Sequence, residues 1–109
     1  MLSVDEMKAK YPEKQLYRVP ITIESEDGQE IKKEFYFEKP KTIDIDRLLK
    51  EIGTRPSVAI KNYLLGLVLE ECRTDLEAVF REYPMLHTQI ADKLNGLAGG
   101  NAFVDLKKL

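Results

Sequence analysis

The stretch Phe35-Tyr36-Phe37-Glu38-Lys39-Pro40 marks the point where the hydrophobic period of this 109-residue chain changes. Upstream of it, apolar residues recur every second position. Downstream they recur at helical spacing almost to the end, so the sequence describes a hairpin feeding a helical body. From Leu16 to Glu24, Tyr17, Val19, Ile21 and Ile23 share one face and Arg18, Pro20, Thr22 and Glu24 the other, as in a half-buried strand. Pro20 has no N–H to donate and therefore belongs at a sheet edge or turned away from a partner. Asp27-Gly28 suits the positive-φ positions of a tight turn. The second run, ending at Glu38, places Ile31, Phe35 and Phe37 inward and Lys32, Glu34, Tyr36 and Glu38 outward, with Lys33 interrupting the inner face near the turn.

Working outward, Ser3-Val4-Asp5-Glu6 has the form of a capping box and opens a short helix to about Lys10, which Tyr11-Pro12 ends. Beyond Pro40, Thr42 is placed to cap a helix carrying Ile45, Leu48, Leu49 and Ile52 on one face, with Gly53 as a left-handed stop. Thr54-Arg55-Pro56 opens the next helix, expected to reach Cys72. Thr74-Asp75-Leu76-Glu77 reads as a second capping box, starting a helix that Pro84 ends, and a last helix spans about Met85 to Leu97. The expectation is one α+β domain over residues 1–100: a two-stranded antiparallel β-hairpin (16–38) followed by a bundle of about four α-helices (42–98). A C-terminal tail (101–109) carries the apolar patch Ala102-Phe103-Val104.

Composition narrows the classes of function. With 43% apolar and 33% charged residues the chain has the makeup of a globular domain, and its length suffices for one core without disulfide or metal staples. Seventeen basic and nineteen acidic side chains leave a net charge of −2, which argues against a broad phosphate-neutralising surface and hence against nucleic acid. The start of the chain lacks the basic and apolar regions of a signal peptide, no window is apolar enough to span a membrane, and the single Cys72 reads as a small buried residue in a reducing compartment; a cytoplasmic location is expected.

Reactive groups are sparse. His87 has no second histidine or cysteine at metal-ligand spacing and reads as solvent-facing or hydrogen-bonded. Glu70-Glu71 and Asp44/Asp46 point in different directions on a helix and read as solvated faces. Gly96-Leu97-Ala98-Gly99-Gly100 follows a helix and lacks the Lys-Ser/Thr of a phosphate loop. Lys32, Tyr36, Lys39 and Lys41 are interleaved with Glu30, Glu34 and Glu38, as on a charge-paired strand surface. No catalytic residues, cofactor or metal ligands are assigned, and the working parts are expected to be apolar surfaces.

The helix after Pro56 carries two stripes: Ile60, Tyr63, Leu64 and Leu67, and about half a turn away Val58, Leu65, Leu69 and Cys72. A helix apolar on both sides is usually sandwiched within its own domain; exposed, the second stripe would be a subunit or client interface. Tyr36, Val58, Leu65 and Leu69 are the candidate interface residues.

In the order of its pieces from about Tyr17 to Gly100, the chain resembles the tail assembly chaperones of long-tailed bacteriophages and prophages. The resemblance is carried by Phe35-Tyr36-Phe37-Glu38-Lys39-Pro40, by Ile45-Asp46-Arg47-Leu48-Leu49-Lys50, by Ala59-Ile60-Lys61-Asn62-Tyr63-Leu64-Leu65 with an acidic break at Glu70-Glu71, and by Leu76-Glu77-Ala78-Val79-Phe80-Arg81-Glu82-Tyr83-Pro84 before a closing amphipathic helix. It implies a non-enzymatic protein that coats the aggregation-prone tape measure protein, helps recruit the tail tube protein, and self-associates as a homo-oligomer, with neither nucleic acid nor membrane as a partner. The competing expectation is a small phage or bacterial regulatory adaptor or inhibitor that binds one folded protein partner.

Overall fold

The computed structural model describes residues 3–100 and 104–108. Along the chain the elements are α1 (Val4–Lys10), β1 (Leu16–Glu24), β2 (Glu30–Glu38), α2 (Thr42–Ile52), α3 (Pro56–Leu67), α4 (Glu70–Glu82) and α5 (Leu86–Asn95), followed by a wide turn over Gly96–Gly100. The α+β class and the hairpin-then-helices order are as the sequence implies. The strands pair antiparallel from Leu16 opposite Glu38 to Glu24 opposite Glu30.

Backbone bonds at the two ends of the hairpin fix which way each residue faces. Ser25 N–H donates to the Gln29 carbonyl at 2.8 Å and Lys39 N–H to the Gln15 carbonyl at 3.1 Å. Opposed residues alternate between bonded and non-bonded pairs, so odd-numbered residues of both strands bond across the ribbon and even-numbered ones turn their backbone groups outward. Pro20 is even, and its missing N–H falls on the outer edge of β1, where it costs no ladder bond. At the turn only Gly28 has positive φ (83°); Asp27 does not, because a type I turn followed by one left-handed residue closes a three-residue loop. Asp27 instead uses its carboxylate, accepting from Ser25 Oγ and from Gln29 N–H.

The helices depart from expectation in one place that shapes the molecule. The helix opened by Pro56 ends at Leu67, short of Cys72, because Val68 and Leu69 adopt extended backbone (ψ 143° and 145°). Val68 forms an antiparallel bridge with Phe37, and Leu69 N–H donates to the outward Tyr36 carbonyl at 2.9 Å. The open edge of β2 thus gains backbone partners that a continuous helix would withhold. A new helix starts at Glu70 rather than at Thr74, with Glu70 and Glu71 in its first turn where the helix dipole favours negative charge.

Smaller corrections follow similar local causes. α2 begins at Thr42 itself, and Lys41 precedes it with its N–H donating to the Asp44 carboxylate at 2.9 Å. Gly53 keeps right-handed backbone (φ −70°), so it is not a left-handed stop. α5 is shorter than expected, and Gly99 (φ 96°) supplies the reversal at its end. At the amino end, Ser3 Oγ accepts from Glu6 N–H, as its capping role requires. Of the expected tail patch, Ala102 and Phe103 lie outside the described residues.

The core gathers Phe35 and Phe37 of the hairpin with Met7, Leu64, Val68, Leu69, Cys72, Leu76 and Leu94, all fully buried. Each large apolar side chain so placed contributes roughly 1.5–3 kcal/mol. Lys33, which interrupts the inner face of β2, reaches the Asp75 carboxylate at 3.0 Å.

Candidate functional site

The four candidate interface residues separate into two pairs. Tyr36 and Leu69 are 6% and 2% exposed and belong to the core; the Leu69 N–H bond to the Tyr36 carbonyl joins them directly. Tyr36, expected to face solvent, is covered because α1 crosses that face of the hairpin, its Met7 buried beside Leu16 and Tyr36. Burial raises the Tyr36 phenol above its ordinary pKa, with the Glu34 carboxylate adding to the effect. Cys72, at the end of the second stripe, is likewise buried.

Val58 and Leu65 behave differently. Both are half-buried and lie two helical turns apart on one face of α3. Leu65 and Phe80 line a groove of about 230 Å³ between α3 and α4, flanked by Lys61, Arg81 and Glu77. Arg73 of α4 ties the two helices together, its Nε donating to the Leu65 carbonyl at 3.1 Å. The groove is apolar at its floor and of mixed charge at its rim, the pattern that receives one face of an amphipathic helix.

Further apolar surface was not legible from the helical wheel. The expected inner face of α2 is only partly covered: Leu48 is buried against α3, Ile45 and Ile52 are half-buried, and Leu49 is 62% exposed. Ile43 is similarly open. The periodicity of α2 identified an apolar face but carried no information about how wide a neighbour would cover it.

Three polar clusters hold the elements in place. Lys10 Nζ and the Tyr11 hydroxyl both donate to the Glu71 carboxylate, tying the end of α1 to the start of α4. The Lys10 bond holds the Glu71 carboxyl below its ordinary range. His87, anticipated as solvent-facing or hydrogen-bonded, is buried, with Nε2 3.4 Å from Ser57 Oγ and its ring edge-on to Phe80. Burial pushes its pKa down, the Lys61 charge acts in the same direction, and the Pro84 carbonyl opposes them. Tyr63 donates to Asn95 Oδ1, and burial followed by the Asp44 charge pushes its phenol up to about 12. These groups are dispersed over the molecule, and among the described residues no three His, Cys, Asp or Glu side chains are grouped to hold a metal. No helix among them is long and apolar enough to cross a membrane.

A family model described as a domain of unknown function (DUF6848) matches residues 7–107, which includes most of the tail. A solved structure of the uncharacterised protein rbstp2171 from Bacillus stearothermophilus is similar, with 32% sequence identity and a TM-score of 0.78 over 96% of this chain and 100% of that one. No curated protein matches.

Proposed function

For this chain, which belongs to the DUF6848 domain family, we propose the role of a non-enzymatic tail assembly chaperone of a bacteriophage or prophage, working in the cytoplasm of the bacterial host. Its client is the tape measure protein, a long helical chain that exposes apolar faces before the tail tube encloses it. The tail tube protein is a further partner.

The observation that carries the proposal is the groove between α3 and α4, where Leu65 and Phe80 form an apolar floor between Lys61, Arg81 and Glu77. A chaperone for a helical client needs apolar surface that is accessible yet too limited to bind irreversibly. A single half-buried stripe from Val58 to Leu65 meets that need. The order of pieces resembling tail assembly chaperones supports the same assignment.

Co-expression tests it. With a phage tape measure protein as the client, the wild-type chain is expected to keep that client soluble and to co-purify with it. Leu65→Glu is expected to lose the client while retaining the wild-type circular dichroism spectrum and a cooperative melt. A client equally soluble with and without this chain would overturn the assignment.

A further inference from the structure

A second apolar cleft lies just past the α3–α4 groove, where the last turn of α4 and the start of α5 meet the turn end of β1. Ile23, Tyr83, Pro84, Met85 and Leu86 line it, its volume is about 350 Å³, and Met85 is 69% exposed. Two acidic side chains, Glu24 and Glu82, stand at its rim and no basic residue does. That separates it from the other apolar grooves. The one at Tyr36 is bordered by Lys8 and Arg18, and the one at Leu65 by charges of both signs.

The same cleft adjoins unused backbone. Thr22 and Glu24 are even-numbered residues of β1, so their N–H and C=O groups point away from β2, and no other backbone group among the described residues bonds them. Pro20 ends this run of available donors on its amino side. The edge therefore accepts a short strand, held at one place.

The C-terminal tail has the matching features. Val104–Lys108 is free of helix and strand, and Val104 and Leu106 are 86% and 96% exposed. In an extended chain those two side chains share a face. Lys108 falls on the same face, giving an apolar pair ending in positive charge, complementary to an apolar cleft with an acidic rim, whereas Asp105 and Lys107 share the other face with their charged groups 4.0 Å apart. Val104–Lys107 lies within the stretch matched by the family, so most of the tail is part of the shared domain. With both apolar side chains in water, the tail does not rest on the cleft of its own chain.

We propose that Val104–Lys108 of one molecule docks on a second copy, adding as a short strand at the outer edge Thr22–Glu24, with Leu106 in the Met85 cleft and Lys108, on the same face, toward Glu24 and Glu82. Such a contact is heterologous: each copy offers a tail at one site and a cleft at another, so association continues into a ring or an open filament. This linkage uses surface distinct from the α3–α4 groove and does not depend on the identity of the client.

Full-length chains carrying Leu106→Asp or Met85→Glu provide the test, because both positions are exposed and neither change burdens the fold. By sedimentation or light scattering, the wild-type mass is expected to rise with concentration and to fall on adding salt. Each variant alone is expected to associate at least about tenfold more weakly, a change of roughly 1.4 kcal/mol. Mixed, the two variants are expected to form heterodimers and stop there, since one retains the only sound cleft and the other the only sound tail. A wild-type chain that stays monomeric, variants that associate like the wild type, or a mixture that forms no heterodimer would overturn the proposal. So would a monomer in which Leu106→Asp increases hydrogen exchange at Thr22 and Glu24, the sign of a tail docked on its own chain. Client solubility in co-expression reads the α3–α4 groove separately, so the failure of one proposal is distinguishable from the failure of the other.

Discussion

His87 shows how one buried side chain ties stability to pH. Its folded pKa lies below the ordinary value of 6.5, so the unfolded chain takes up the proton first and acidification favours unfolding. Stability is therefore expected to be full above the unfolded pKa and to fall as pH drops below it toward the folded one. Urea titrations at a series of pH values should show this slope in the wild type and its absence in His87→Gln. Glu71 acts in a separate, more acid window. Its pKa is depressed by Lys10, so its contribution is present above the ordinary 4.5 and disappears as pH falls through the folded value. By contrast, Lys33 and Asp75 are both partly exposed, and Asp75→Asn is expected to cost less than about 1 kcal/mol in the same titrations. In the sequence, Lys33 was visible only as an interruption of an apolar face. Its partner lies 42 residues away, and no local pattern could supply it.

At the scale of elements, the break between α3 and α4 separates two leucines that share a helical wheel. Leu69→Glu would bury a carboxylate without a partner, costing several kcal/mol, comparable with the roughly 5–15 kcal/mol that holds a small domain together. It is expected to abolish the cooperative melt, whereas Leu65→Glu leaves it intact. The hairpin was legible because strict alternation from Tyr17 to Ile23 has few other interpretations. The break was not, because Val68-Leu69 continues an apolar run and acquires its extended form from a bridge to Phe37, a long-range contact. The burial of Tyr36 was hidden for the same reason: alternation assigns it to the outer face, and α1 crossing that face helps to cover it. α1 itself is a seven-residue helix with one buried side chain, Met7. Met7→Ala is expected to speed hydrogen exchange across Val4–Lys10 while leaving protection of the hairpin unchanged, the mark of local rather than global opening.

The whole molecule measures 54 × 38 × 25 Å with a radius of gyration of 15.7 Å, above the roughly 13 Å of a compact chain of about this length. It is an elongated body in which a two-stranded ribbon, marginal by itself, depends on helices for its stability. Because Phe35 and Phe37 pack into the core shared with α3 and α4, ribbon and helices are expected to unfold together. Far-ultraviolet circular dichroism and the fluorescence of the five tyrosines should give coincident urea transitions. The sequence fixes neither the breadth of the surface left uncovered on α2 nor the standing of the tail away from the body, since both depend on how the helices fan out. Pinning Leu69 to Tyr36 also sets the phase of everything that follows: chain length between Leu64 and Cys72 is locked to the ribbon at one end and to the core at the other. Adding a single residue to the first turn of α4, between Leu69 and Cys72, would rotate the rest of the helix by about 100° and turn Leu76 and Phe80 out of the interior. Insertions scanned along the gene should therefore be rejected there and absorbed at the Glu26-Asp27-Gly28 loop, where nothing downstream has to move.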